Sequence, residues 1–337
     1  MISFENDYSE TTNDEVLEAL KKAKNEQNAG YGLDKHSKNA AKLIKELIKH
    51  KDVDVHFIQG GTPCNVLVME LLRPYEAIIS VVSGHINTHE TGAVEHFGHK
   101  ILVAKDKEGK LIPDEIDRIV KEHLDEHQVK PKLVFISNAT EYGTTYSKEE
   151  LKEIRKRCDK YGLYLYLDGA RLGNAIVSTN LTFKDIADVT DLFYIGGTKN
   201  GALLGEALII KNNKFKKEFR FLIKQNLCML AKGFVNGIQF ETLLKNDLYL
   251  KNAKHANDMA DLIRAALKKK NIKFLYETKT NQIFPILTHT QYAKLSKEFI
   301  FLKWSDYNDK SIVIRLVTSW NTKIENVEKL TNLIKNT

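Results

Sequence analysis

Leu163-Tyr164-Leu165-Tyr166-Leu167-Asp168, running straight into Gly169-Ala170-Arg171, is the stretch on which the fold turns. Its apolar and aromatic residues follow one another without polar interruption and stop at a carboxylate. That is the pattern of a strand buried on both faces in a parallel sheet. Ligands of open α/β sheets bind at the carboxyl ends of such strands, so Asp168 falls at a ligand edge with Arg171 three residues on. An acid ending a strand is also a common turn former, and this stretch alone defines the strand rather than the chemistry.

Outward from it, similar apolar runs occupy 53–58, 77–82, 100–104, 132–137, 192–196 and 207–210. Amphipathic stretches at 113–127 and 148–161 separate some of them, and earlier ones carry Val16, Leu17, Leu20 and Ala23 behind a capping Asn13, then 37–47. The alternation predicts an α/β fold with a mainly parallel seven-stranded sheet flanked by helices. After residue 212 the pattern becomes helical over 213–231, 234–246 and 250–270. Short strands then return at 272–276, 284–287, 299–304 and 312–317, before a closing helix over 324–334. The expected organisation is a segment 1–30 packing on a smaller domain or a partner subunit, a large ligand-binding domain 31–230 and a small C-terminal α+β domain 231–337.

The chain of 337 residues carries 51 basic and 44 acidic side chains, a net charge of +7, with 42% hydrophobic residues, which is globular rather than disordered. Lysines are interleaved with acids, so no basic face or nucleic-acid motif stands out and no nucleic-acid partner is expected. No apolar run reaches the roughly 18–20 residues that span a bilayer. The start is acidic and lacks the basic and apolar regions of a secretory signal. Cys64, Cys158 and Cys228 lie far apart, in no metal or redox spacing. The expectation is a cytoplasmic protein with no membrane contact and no bound metal.

Two further elements carry chemistry. Gly60-Gly61-Thr62-Pro63 follows a strand-like run and opens a helix, with Thr62 as the expected cap and Pro63 at the first helical position. Free N–H groups and the helix dipole there favour an anion such as phosphate. Gly196-Gly197-Thr198-Lys199-Asn200-Gly201 follows another strand and presents one lysine among small residues. Desolvation of such a lysine lowers its pKa and frees the neutral amine for Schiff-base chemistry. An acid ending one strand, a lysine after the next and a glycine turn for phosphate together match the needs of pyridoxal 5'-phosphate.

With these residues in view, the sequence resembles the threonine aldolase and β-eliminating lyase family of fold type I pyridoxal-phosphate enzymes. The resemblance rests on Asp7, Tyr31-Gly32, Gly60-Gly61-Thr62, His85 in Ser83-Gly84-His85, the 138–143 segment, Asp168-Gly169-Ala170-Arg171, Lys199 and Arg315. It implies that Lys199 holds the cofactor aldehyde, Asp168 pairs with the ring nitrogen, Gly60, Gly61 and Thr62 hold the phosphate, and His85 stacks on the ring. It assigns Arg171 and Arg315 to the α-carboxylate of an amino acid substrate, with Arg171 also near the cofactor and Asp7 and Tyr31 at the substrate side. It implies a homodimer or homotetramer with shared sites, in which Tyr31 and a base near Lys232 reach a neighbouring subunit.

The reaction so implied is cleavage of the Cα–Cβ bond of a β-hydroxy amino acid to glycine and an aldehyde. The alternatives are β-elimination, transamination or racemisation on another amino acid, or a phosphate-binding module without Schiff-base chemistry. One position departs from the resemblance: Glu141 stands where threonine aldolases carry a histidine. A carboxylate can take the substrate hydroxyl's proton, though its ordinary pKa near 4.3 makes it the weaker base. Its other roles would be to bind a polar or cationic group or to cap a turn. His89 and His96, at helical spacing from His85, are further candidates for the base.

Overall fold

The computed structural model describes residues 1–336. The apolar runs form one sheet of seven strands: β1 (Asp54–Ile58), β2 (Glu76–Val81), β3 (Ile101–Ala104), β4 (Lys130–Ser137), β5 (Tyr164–Asp168), β6 (Leu192–Gly196) and β7 (Glu206–Ile210). Their spatial order is β1-β7-β6-β5-β4-β2-β3. Only β7 runs antiparallel to its neighbours, and the remaining contacts are parallel.

Successive residues of each strand point to opposite faces, and both faces are covered. Ile79, Val134, Ile136, Leu165, Leu167, Phe193 and Ile195 enter one core, beneath helices that include Lys35–Ile48 and Lys148–Tyr161. Ile78, Leu133, Phe135, Tyr166, Tyr194 and Leu208 enter the other, beneath Gly61–Met69 and Phe219–Gln225. This double burial is why the strands read as continuous apolar runs instead of alternating ones. Each fully buried aliphatic or aromatic side chain contributes roughly 1.5–3 kcal/mol. Exposed ion pairs contribute about 0–1 kcal/mol each, so the two cores dominate the stability of the sheet.

The C-terminal part has its own core. Strand Ser311–Val317 pairs antiparallel with Gln282–Ile283, Ile286–Thr288 and Leu302–Asn308. Met259, Ile263 and Leu267 of helix Leu248–Lys269 pack with Ile314, Leu316, Leu330 and Ile334. The N-terminus joins this unit: Ile2–Ser3 pairs in parallel with Phe299–Ile300, and Phe4 enters the same core.

Four local expectations change. The helix expected over 213–231 is a 3-10 turn at Asn213–Phe215 and a short helix Phe219–Gln225, separated by Glu218 at φ 66°. A left-handed residue leaves no trace in hydrophobic periodicity. The helix expected over 113–127 stops at Glu122. The strand expected over 272–276 is a single bridge, Phe274 to Pro285. Asn13 precedes its helix without capping it: its amide nitrogen donates to Asn252, and its Oδ1, the atom a cap would use, has no partner among the described residues.

Candidate active site

Since β7 is the one reversed strand, its beginning lies at the edge where the parallel strands end. Segments 59–62 after β1, 83–90 after β2, 168–170 from β5, 198–199 after β6 and Glu206 at the head of β7 meet there. With Tyr8 from the N-terminal segment they line a cavity of about 300 Å³. Gly60, Gly61, Thr62, His85, Asp168 and Lys199, six residues singled out from the sequence, all face it.

The helix after β1 starts two positions earlier than expected. Gly60 is the N-cap, and Thr62 and Pro63 are its second and third residues. The N–H groups of Gly61 and Thr62 therefore belong to the first turn, which has no intrahelical acceptors for them. That leaves two donors and the positive end of a nine-residue helix toward the cavity. Close backbone approach explains the glycines after β5 and β6. A Cβ on Gly169 would lie 1.8 Å from the Tyr194 carbonyl oxygen, and one on Gly197 2.6 Å from that of Gly205.

Asp168 is buried and held on several sides. Its Oδ1 accepts from the Ala170 N–H at 3.0 Å and from the Tyr194 hydroxyl at 2.5 Å, while the Asn65 amide lies 3.5 Å from Oδ2. Lys199 is the opposite case. Among the described residues its amine forms no hydrogen bond or ion pair, and Nζ stands 5.9 Å from the centre of the Tyr8 ring. Burial, and then the Arg171 charge, lower its pKa below that of an ordinary lysine. Glu206 accepts from the Gly197 N–H at 2.7 Å, and burial pushes its carboxyl up to about 7 against the opposing pull of Thr198, Gly197 and Lys199.

His85 donates from or accepts at Nδ1 with Glu90 Oε1 at 2.9 Å. Desolvation works to lower its pKa, but the Glu90 hydrogen bond and the charges of Glu141, Asp168 and Glu90 raise it overall. His89 and His96 do not share a helix with His85. The turn His85–Thr88 ends before His89, and His96 belongs to a separate turn, Ala93–His96. Both side chains are exposed.

The two arginines approach from different elements. Arg171 donates from Nε to Asp7 Oδ2 at 2.7 Å and from Nη2 to Asp7 Oδ1 at 3.0 Å, in a fully buried pair. Asn281 donates to the same carboxylate at 2.8 Å. Desolvation would raise the Asp7 pKa, yet Arg171 and Lys199 hold it below the usual range. Asp7 therefore faces Arg171, and one edge of that guanidinium, Nη1 with the second Nη2 proton, is left over. Arg315 lies over the Trp304 ring at 5.7 Å, and its Nε is buried with no partner among the described residues. Glu141 forms no hydrogen bond among the described residues, though its charge acts on His85, Lys199, Arg171 and Arg315.

Tyr31 stands apart. It is 46% exposed, with Lys224 over its ring, and lines a different cavity with Arg220 and Met229. Lys232 is exposed as well. Residues that sequence reasoning passed over include Asn65, Glu90, Tyr194 and Glu206. A charge leading the apolar run 207–210 was the available signal for Glu206, and Asn65 and Glu90 lay inside segments already under scrutiny. Nothing local marks Tyr194.

An unpartnered amine, a buried acid and a helix start lining one cavity fit pyridoxal phosphate. Arg171 and Arg315 are not among the lining residues, but Arg315, whose orphaned Nε suits a carboxylate, feels the same Arg171, Asp7 and Glu141 charges as Lys199. The architecture is that of the fold type I pyridoxal-phosphate enzymes. Serine palmitoyltransferase from Sphingomonas wittichii has the same fold at 15% identity, with a TM-score of 0.72 over 99% of this chain and 86% of its own. The model of the β-eliminating lyase family matches residues 7–290, and the chain belongs to that family. It is similar to the low specificity L-threonine aldolase of Pseudomonas sp. (strain NCIMB 10558), 31% identical over 94% of this chain and 92% of that protein. It is also similar to the solved threonine aldolase of Leishmania major, 44% identical with a TM-score of 0.98, over 100% of this chain and 99% of that one.

Proposed function

We propose that this protein is a pyridoxal-phosphate-dependent lyase that cleaves the Cα–Cβ bond of β-hydroxy amino acids, giving glycine and an aldehyde. The observation that carries the reading is the shared cavity of Lys199 and Asp168, with the amine unpartnered among the described residues and the acid held through two hydrogen bonds to its Oδ1. The Leishmania and Pseudomonas relatives, both threonine aldolases, support the same reaction class.

Bound here, pyridoxal phosphate would supply an electrophilic aldehyde and a ring that accepts the electrons of a bond broken at Cα. Lys199 offers the amine for its attachment, and the lowered pKa enlarges the neutral, nucleophilic fraction. Asp168 holds a proton at the ring nitrogen, and Tyr194 and Ala170 keep its carboxylate aimed. Gly61 and Thr62 give N–H donors to the phosphate. The free edge of Arg171 and the spare Nε of Arg315 grip the α-carboxylate, while Asp7 orients Arg171 rather than touching substrate. Glu141, committed to no other group, takes the β-hydroxyl proton.

We also read the chain as a cytoplasmic homo-oligomer. Tyr31, Leu33, Phe221 and Leu227 are exposed, and the 31–33 and 220–231 segments touch through the Tyr31 N–H and the Ala231 carbonyl. Apolar surface gathered in this way marks association sites.

Purified protein loaded with pyridoxal phosphate should release acetaldehyde and glycine in equal amounts from L-threonine or L-allo-threonine. Lys199→Ala should lower that rate by about a thousandfold or more. Pyruvate and ammonia from serine, with no aldehyde from any β-hydroxy amino acid, would overturn the reading in favour of β-elimination.

A further inference from the structure

His85 does not stand alone at the cavity. Its Nδ1 lies 2.9 Å from Glu90 Oε1, and the same oxygen accepts from the Asn65 amide at 2.7 Å. The Glu90 side chain is completely buried, and its Oε2 has no partner among the described residues. Asn65 in turn accepts from the Tyr166 hydroxyl at 2.8 Å and reaches toward Asp168 Oδ2 at 3.5 Å. Buried carboxylates are found paired, and the cationic group within reach of this one is the imidazole. A carboxylate is acceptor-only when ionised, so the proton of the contact belongs on Nδ1. Nε2 is then the nitrogen that remains for the cavity, which His85 lines together with Asp168 and Lys199.

We infer that Glu90 is a positioning residue for His85: it fixes the Nδ1–H tautomer and the ring's orientation, and through Asn65 couples the imidazole to Asp168. The inference rests on the proposed reading only in giving His85 a cofactor to face. Neither the hydrogen bonds nor the tautomer depends on which reaction is catalysed. The groups facing the ring are Glu90 and His89 from its own segment, Glu141 from the loop after β4 and Asp168 from β5. Asp168 is the acid assigned to the ring nitrogen, so Asn65 and Glu90 join the two residues that would contact opposite parts of one cofactor. Charge on either is felt by the other along two hydrogen bonds and one longer contact, and not across open cavity.

The test uses the apoprotein labelled with ¹⁵N histidine, the His85 resonances being assigned by their loss in His85→Gln. In the parent protein Nδ1 should show the shift of a protonated nitrogen, and His85 should titrate above an ordinary histidine. Glu90→Gln preserves the shape and removes the charge, so the titration midpoint should fall while the protein stays folded. Glu90→Ala should also release the tautomer preference. In loaded protein Glu90→Gln should lower kcat roughly tenfold with KM little changed, and move the acidic limb of the pH–rate profile to lower pH. An unprotonated Nδ1 in the parent protein, or the same midpoint in parent and Glu90→Gln, overturns the inference. That outcome would leave the reaction assignment standing, and loss of aldolase activity alone would leave the inference standing.

Discussion

Arg171, from the middle of the chain, and Arg315, from near its C-terminus, are the two guanidinium groups proposed for the substrate carboxylate, and they are built differently. Arg171 follows the end of β5, is buried, and spends two donors on Asp7. Arg315 comes from the C-terminal sheet, keeps an unpartnered buried Nε and holds a single long contact from Nη2 to the Glu5 carbonyl at 3.4 Å. One is fixed by the protein and has donors to spare on one edge. The other is left underused until a ligand arrives. On the proposed reading, a carboxylate held between them would meet a rigid wall on one side and an unsatisfied donor on the other.

The largest effect that can break this contrast comes from Asp7→Ala. It leaves the Arg171 charge buried and unpaired, which costs about 3–5 kcal/mol. Urea unfolding should show that loss, and kcat/KM should fall with it. A near-neutral change would mean that Arg171 is not held by Asp7. Arg315→Lys comes next. It keeps a charge but removes the planar fork, so one charged hydrogen bond of roughly 1.5–3 kcal/mol is lost to substrate. KM should rise about 10- to 100-fold with stability almost unchanged. A drop in stability comparable to that of Asp7→Ala would erase the distinction.

The smallest effect is a matter of sign. Asp7 has a lowered folded-state pKa, so the stability it contributes is present above its unfolded value near 3.8 and is lost as pH falls below that. Glu206, which bonds to no cation among the described residues, is raised from 4.5 to about 7. The folded apoprotein then binds the proton more tightly, and its contribution is full below pH 4.5 and declines as pH rises to 7. Denaturation of Glu206→Gln across that window should show a flatter decline than the parent, whereas an unchanged slope would remove Glu206 from the account.

Much of this could be read from the sequence where chemistry and topology coincide. Parallel strands buried on both faces appear as apolar runs, so Asp168 and Lys199 declared themselves by standing where such runs stop. The Asp7–Arg171 pair joins residues 164 apart, and neither partner carries a local mark of the other. Glu90 and Asn65 sat within motifs noticed for different reasons, because hydrogen bonding between loops from separate strands has no periodicity. The broken helix around Glu218 was hidden for a related reason, as a single positive φ decides it. Tyr31 was brought forward by resemblance, and within one chain it faces another surface altogether.

The last strand of the large sheet to leave the N-terminal direction of synthesis, β7, inserts between β1 and β6 rather than adding at a rim. Until it does, the glycine turn at one neighbour and the lysine at the other have no common framework, however well their own segments have formed. Completion of the sheet and readiness to take a vitamin-derived partner should thereby coincide. The pairing of β7 with β6 is a local hairpin, but its pairing with β1 joins Glu206 to Ile58. Pairings of such wide sequence separation form slowly, so the acquisition of yellow colour by a refolding chain would time the docking of β1 on β7.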